Sequence, residues 1–135
     1  MIFIDLKNNI CESIPSLEIV NHDYQFAGRI TQYEFNLELD SDDICQYVHD
    51  WYLLSYDHKM NCSTIKRDLH FLADDEQVYK LTGTLINKIY FSDAETHNMK
   101  CTVTPDLFII DRLQNCPELI SFSRDKKLNK ILNES

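Results

Sequence analysis

A change of hydrophobic period near residue 40 limits the folds open to this chain more than any other feature. From Tyr33 to Leu39, apolar and polar residues alternate, and this period of two predicts a half-buried strand. Four apolar residues then recur at the spacing of an amphipathic helix of about three turns, namely Ile44, Tyr47, Val48 and Trp51. Between them, the stretch Asp40–Asp43 favours helix capping over calcium binding, because it lacks the Gly and distal Glu of an EF-hand.

Further strands are predicted on both sides of this helix. Residues 17–26 and 29–39 form a β-hairpin turning at Gly28. After a polar loop at residues 55–63, alternation returns with Ile65, Leu69 and Phe71 on one face, interrupted by Arg67. A longer strand follows, with five apolar residues in phase: Tyr79, Leu81, Leu85, Ile89 and Phe91. Gly83, inside that strand, indicates a bulge or a close backbone approach.

The remaining segments complete a mainly β, α+β fold. Residues 1–16, which begin with Ile2-Phe3-Ile4, predict a short strand or an N-terminal arm. Pro105 indicates a strand edge or bulge between two apolar runs, and residues 117–135 predict a C-terminal helical extension. We therefore expect a single domain over residues 1–135: an antiparallel β-barrel or sandwich with one flanking amphipathic helix and a C-terminal helix.

Charge and composition narrow the classes of function. With 135 residues, 44% of them hydrophobic, the chain can bury one core. Its net charge of −9 disfavours DNA binding, which depends on neutralising phosphates, and the short basic run Arg124–Lys127 predicts a solvated helix face. The sequence contains neither an apolar run long enough to span a membrane nor a secretory signal, so we expect no membrane span.

Cysteine and histidine are residue types in this sequence that could bind a metal. Five cysteines are an odd number in a chain that can fold unaided, which predicts reduced thiols. Cys45 with His49 and His97 with Cys101 share a spacing of four and are weak zinc candidates, because no tightly spaced cysteine pair accompanies them. The stronger interpretation is that Cys45 and Cys101 are small core hydrophobes.

No enzyme signature is present in the sequence. Cys62 beside His58 is the best-placed thiol for a nucleophile, but no family signature surrounds it. Phosphate-binding loops, dinucleotide fingerprints and metalloprotease motifs are also missing. In the aromatic concentration near the helix, Tyr47 and Trp51 fit its core face, whereas Tyr52 fits an interface better. We therefore expect no catalytic activity and no cofactor.

The arrangement from Asp42 to Ile110 resembles the tail tube family of contractile-tailed bacteriophages, which is related to the tube protein of type VI secretion. The similar elements are an aromatic-ended helix over residues 47–54, a strand over residues 65–72, a long strand Val78–Asp93 carrying the pattern Leu-x-Gly, and a closing strand Met99–Val103. The short N-terminal part and the stretch Cys116–Ser135 depart from that family. The resemblance is therefore compatible both with a tail tube subunit and with a tube-related baseplate, hub or tail-end component.

The resemblance implies a structural virion protein that is assembled in the host cytoplasm. Its partners would be copies of itself in a ring, expected to be a hexamer, and other tail proteins, with DNA only as passing cargo. The interface residues expected on this basis are Ile2, Phe3, Ile4, Tyr52, Tyr56, His58, Lys59, Met60, Lys80, Thr82 and Thr84. The alternative is a small acidic phage-encoded binding module that occupies a host protein.

Overall fold

A computed structural model describes residues 1–25, 29–57, 62–91, 98–122 and 124–125. Its strands are β1 (Ile2–Asp5), β2 (Ile10–Ser13), β3 (Ser16–Gln25), β4 (Arg29–Leu39), β5 (Tyr56–Asp57), β6 (Cys62–Ser63), β7 (Arg67–Leu72), β8 (Gln77–Phe91), β9 (Met99–Thr104) and β10 (Leu107–Arg112). The helix α1 spans Asp42–Ser55, a short 3-10 helix spans Leu113–Asn115, and residues 117–122 and 124–125 are helical. The chain is therefore mainly β with two α-helical segments, as the sequence predicts.

Eight of the strands form one antiparallel sheet. Its order is β2–β1–β7–β8–β9–β4–β3, and β10 also pairs with β8. The predicted hairpin is confirmed, since β3 pairs with β4 along its whole length. The outermost strands of this path, β2 and β3, are not paired with each other among the described residues, so the sheet is open and barrel closure is not confirmed.

The long strand β8 holds the sheet together and changes phase twice. Its first half pairs with β7 and β10, and its second half pairs with β9. The register shifts between Arg67 and Leu69 of β7, opposite Gly83, which has a φ of 63°. A second shift follows Ile86. Each shift places an extra residue in β8 and reverses the faces of the residues that follow.

These shifts correct one sequence prediction. Leu81 is buried, as expected, but after Gly83 the buried positions are Thr84 and Ile86. Leu85 is only half-buried and lies outside both buried clusters, so its predicted place on the apolar face is wrong. The bulge that Gly83 indicated is therefore confirmed, and it is the reason that strict alternation fails along this strand.

Helix α1 packs one face against the sheet and supplies part of the main core. Its N-terminus is capped by Ser41, whose Oγ accepts a hydrogen bond from the Ile44 N–H at 3.4 Å, as the capping interpretation predicts. Val48 and Trp51 are fully buried, which confirms the helical spacing. The indole N–H of Trp51 donates to the Ile65 carbonyl at 3.0 Å. The helix is thereby tied to the segment that enters β7.

The opposite face of the sheet carries a smaller buried cluster around the C-terminal helical residues. Ile4 and Val78 pack there with Cys116 and Leu119. Because β1 pairs with β2 on one side and with β7 on the other, the N-terminal strand is internal to the sheet. The alternative of an N-terminal arm that pairs with a neighbouring molecule is therefore wrong for β1.

The segment after α1 is more regular than predicted. We expected a patternless loop over residues 55–63, but β5 and β6 pair in a two-stranded sheet at its ends. The Ser55 carbonyl accepts hydrogen bonds from both the N–H and the hydroxyl of Thr64, each at 2.8 Å. The middle of the segment, residues 58–61, lies outside the described residues.

Candidate interaction surfaces

Three of the predicted interface residues are buried inside the chain. The side chains of Phe3, Ile4 and Thr84 are each 0% exposed. Phe3 makes edge-on contacts with the rings of Phe71 and Tyr47, at 5.3 and 5.8 Å between centroids. The prediction that these three side chains contact a neighbouring subunit is therefore wrong, because a fold that buries them leaves nothing for a partner to touch.

The other predicted interface residues have mixed outcomes. Thr82 is exposed, Ile2 is half-buried and Tyr52 is half-buried against the main core. Lys80 forms an ion pair with Asp111, with 3.3 Å between Nζ and Oδ2. The remaining predicted positions, namely the side chain of Tyr56 and residues His58, Lys59 and Met60, lie outside the described part of the chain.

Among the described strand residues, the large apolar side chains with the highest exposed fractions belong to β10. Leu107, Ile109 and Ile110 are 52%, 48% and 54% exposed. Among the described residues β10 pairs only with β8, so its other edge is open. We did not include these residues in the predicted interface, although the run from Leu107 to Ile110 lacks polar alternation. That apolar run was the signal available in the sequence.

Phe108, between these exposed residues, fixes β10 to the core. Its ring lies 5.1 Å from that of Tyr33, 5.0 Å from that of Phe35 and 6.0 Å from that of Tyr79. Such offset and edge-on aromatic pairs each stabilise by about 0.5–1.5 kcal/mol beyond the area that they bury. The strand that presents the apolar residues is therefore held firmly and does not have to be ordered by a partner.

A second open edge lies at the far end of the sheet. Within the described residues β3 pairs only with β4. Ile19 in this strand is 37% exposed. At the other end of the sheet β2 pairs only with β1, so among the described strands β2, β3 and β10 each present an edge without a strand partner, and the three edges differ.

The cysteines behave as core residues. Cys45 and Cys101 are buried, as the core interpretation predicts, and neither forms a disulfide bond. Burial, followed by the nearby Cys45, raises the pKa of Cys101 to about 12. The described residues contain no cluster of three or more His, Cys, Asp or Glu side chains that could hold a metal. His97 and His58 lie outside them, so the zinc candidates and the Cys62–His58 pair remain predictions.

A buried polar network links β1, α1 and β7. Asp5 is 1% exposed and accepts hydrogen bonds from the Tyr47 hydroxyl and from the Asn8 side chain. Burial, followed by this hydrogen bond to Asp5, raises the pKa of Tyr47. The guanidinium of Arg67 lies 5.1 Å from the Tyr47 ring and 5.2 Å from the Trp51 ring, within the range of a cation–π contact. Sequence reasoning saw Arg67 only as a break in an apolar face.

Comparisons of the chain with protein-family models, with curated proteins and with solved structures found no match. Among the described residues, no helix is both long enough and apolar enough to cross a membrane.

Proposed function

We propose that this chain is a non-catalytic structural subunit that joins other subunits through the open edges of its sheet. The observation that supports this proposal best is β10, whose open edge carries Leu107, Ile109 and Ile110, each about half exposed. Open strand edges with apolar side chains invite pairing with another chain, and stable monomers normally cover or charge them. An open apolar edge is therefore typical of a subunit that assembles with other chains rather than of a monomer.

The open edges of β10 and β3 differ, which favours a head-to-tail interface between these two. β10 has six residues and β3 has ten. Contacts between two different patches generate closed rings when the rotation between subunits closes. Fully burying one Leu or Ile side chain stabilises by about 1.5–3 kcal/mol, so covering three half-exposed ones contributes a few kcal/mol. Backbone hydrogen bonds along the edge would add to this.

The resemblance to the tail tube family gives this assembly a specific form. On that basis the chain is a tail tube subunit, or a tube-related baseplate or tail-end subunit, of a contractile-tailed phage virion. Its partners are copies of itself in a ring and other tail proteins, and DNA passes as cargo. The net charge of −9 suits a surface along which DNA slides without binding.

The first experiment is to measure the mass of the purified protein by light scattering across a range of concentrations. The largest species is then viewed by negative-stain electron microscopy. Assembly into rings or tubes is the expected result. A monomer at every concentration would contradict self-assembly. It would leave two options: a subunit that assembles only with a different partner, to be tested by co-expression with neighbouring tail proteins, or the binding module described below.

A pair of variants tests the edge itself. Ile109→Glu places a charge on the open edge beside Lys80, its cross-strand neighbour, and should abolish the assembled species without unfolding the monomer. Leu54→Glu is the matched control, because Leu54 is 70% exposed near the end of α1 and lies on no strand edge. Equal assembly by both variants would exclude β10 as the interface.

A second candidate function is an acidic binding module that occupies a host protein. It is favoured by exposed carboxylates at the junction of β4 and α1, where Glu38, Asp40, Asp42 and Asp43 all face solvent. Such a surface can mask a basic site on a partner. The binding module predicts a strict monomer whose capture by a basic host protein weakens with added salt, whereas tube assembly depends on protein concentration.

A further inference from the structure

A cleft opens at the point where β1 ends and β7 continues. β1 pairs with β7 only from Ile2 to Ile4, so the segment Arg67–Leu69 of β7 has no partner in β1. The turn between β1 and β2 forms one wall of the resulting notch, and residues 65–70 form the other. Its volume is about 420 Å³, within the range of small-molecule sites.

The wall formed by the turn is well ordered by its own hydrogen bonds. Asp5 accepts the backbone N–H of Asn8 at 3.2 Å and the side-chain amide of the same residue at 2.7 Å. Asn9 closes the turn with a φ of 59°, a conformation that asparagine tolerates better than most residues. The exposed Lys7 is therefore carried at the rim of the notch on a turn of fixed shape.

The charges that line the notch oppose the charge of the whole chain. Three cations, Lys7, Lys66 and Arg67, line it together with two carboxylates, Asp5 and Asp68. Both carboxylates already have donors. Asp5 accepts hydrogen bonds from Tyr47 and Asn8, and Asp68 accepts one from the backbone N–H of Gly83 at 2.9 Å. In a chain with a net charge of −9, the side chains that line this cleft carry three positive charges against two negative ones.

The cations are not equally available. Lys66 is engaged with Asp106, 2.8 Å from Nζ to Oδ2. Arg67, by contrast, is restrained over two aromatic rings and forms no ion pair with a carboxylate of the described residues. Stacking fixes the plane of the guanidinium without neutralising it. Arg67 also interacts with the Tyr47 hydroxyl, and its remaining N–H groups are suited to recognition of an oxyanion.

His70 also lines this cleft and contains a polar atom without a hydrogen-bond partner. Its Nδ1 is buried and has no hydrogen-bond partner among the described residues. Burial, followed by the charge of Lys80, lowers the pKa of His70, against the opposing effects of Glu118, Asp68 and Asp5. The imidazole is therefore neutral at pH 7 and can donate one N–H. A buried polar atom without a partner costs free energy unless a ligand or water satisfies it.

We propose that this cleft binds a phosphate group, either as the free ion or as a monoester, through Arg67 and Lys7 with the His70 imidazole as a further donor. A phosphate carries up to two negative charges and several acceptor oxygens, which match a fixed guanidinium, a mobile ammonium and an imidazole N–H. The site does not depend on the assembly proposed above, because it lies between β1 and β7 and not on β10.

The only tryptophan of the chain reports directly on this cleft. Trp51 lies 5.2 Å from the Arg67 guanidinium and donates a hydrogen bond to Ile65, which lines the notch. The full chain is titrated with inorganic phosphate and, separately, with glycerol phosphate while fluorescence is recorded at constant ionic strength. We expect the fluorescence of Trp51 to change in a saturable way with at least one of the two compounds. The compound with the lower midpoint shows whether the cleft prefers the free ion or a monoester.

Variants decide whether the signal comes from the proposed residues. Lys7→Gln, on an exposed turn, should raise the phosphate midpoint about tenfold, because one charge-assisted contact is worth about 1.4 kcal/mol or more. Arg67→Gln should raise it at least as much. Lys100→Gln is the matched control, since Lys100 pairs with Glu38 in another part of the sheet, and Ile109→Glu should likewise leave the midpoint unchanged.

Two results would overturn the proposal. One is a fluorescence change that is linear in phosphate concentration and equal to the change produced by sodium chloride. The other is a midpoint that is the same in Lys7→Gln, Lys100→Gln and the parent chain. Because Arg67→Gln alters the surroundings of Trp51 directly, its midpoint is checked by the NMR shift of the His70 imidazole, which does not depend on fluorescence.

Discussion

Replacing Gly83 with alanine tests the bulge that sets the phase of β8. Gly83 has a φ of 63°, a backbone conformation that disfavours a side chain. A Cβ atom built there would lie 2.5 Å from Oδ2 of Asp106 and 3.2 Å from its Cβ. Asp106 is held in place, because its N–H donates to the Thr82 carbonyl at 2.9 Å and its carboxylate binds Lys66.

The expected loss of stability is a sum of three effects. The left-handed conformation costs a non-glycine residue about 1–2 kcal/mol. Displacing the exposed Asp106 side chain and its surface ion pair costs about 1 kcal/mol more. Alanine also restricts the unfolded chain, which returns about 0.4–1 kcal/mol. We therefore expect Gly83→Ala to lower the free energy of unfolding by about 2 kcal/mol, or roughly 6–8 °C in Tm for a domain of this size.

Urea denaturation of the parent chain, Gly83→Ala, Gly83→Asn, Asp106→Ala and the double variant Gly83→Ala/Asp106→Ala separates these effects. Gly83→Asn should cost about 1 kcal/mol less than Gly83→Ala, because asparagine tolerates the left-handed region. In the double-mutant cycle, Gly83→Ala should destabilise the Asp106→Ala background less than it destabilises the parent chain, because the clash with the Asp106 carboxylate is removed. The cost of the left-handed backbone conformation should remain. If Gly83→Ala stayed within about 0.5 kcal/mol of the parent chain, the bulge would not be where the structure has it.

Three further predictions concern burial and protonation. Ile86→Ala should destabilise the fold by about 2–5 kcal/mol, whereas Leu85→Ala should destabilise it by about 1 kcal/mol or less. If thermal unfolding gave the reverse order, Leu85 rather than Ile86 would be the buried residue, as strict alternation along β8 predicts. Burial lowers the pKa of His70 from its ordinary value of 6.5, so the unfolded chain binds its proton first. The free energy of unfolding should thus fall as the pH drops below about 7. Urea titrations at several pH values should show a smaller fall for His70→Gln, and an equal dependence on pH in both proteins would contradict this prediction. Cys101, with its pKa raised to about 12, should resist a thiol reagent in the native protein far longer than the half-buried Cys11, and equal labelling by mass spectrometry would refute its burial.

Local pattern was sufficient for the elements whose two faces differ clearly. The alternation from Tyr33 to Leu39 predicted β4, and the spacing from Ile44 to Trp51 predicted α1, because each element buries one face and exposes the other. Gly83 predicted a bulge for a similarly local reason, since few other residues adopt its backbone conformation without strain. None of these inferences required knowledge of a distant partner.

The candidate sites were predicted less well, because they depend on which strands become neighbours. In the sequence, Phe3 and Ile4 belong to an apolar segment that we expected a partner to cover. In the structure, β1 lies between β2 and β7 and buries both side chains within the chain. The apolar edge of β10 went unrecognised, because an apolar run has the same appearance in sequence whether its strand is central or at an edge.

By itself the sequence determined the type of each principal element and the mainly β character of the fold, because hydrophobic period is a property of neighbouring residues. Only the tertiary structure decided the strand order, the two reversals of phase in β8 and the cleft that brings Lys7, Arg67 and His70 together. Lys7 is far from the other two along the chain, and only the early end of β1 beside β7 makes them neighbours. Register and pairing are set by contacts between distant segments, and no local pattern encodes them.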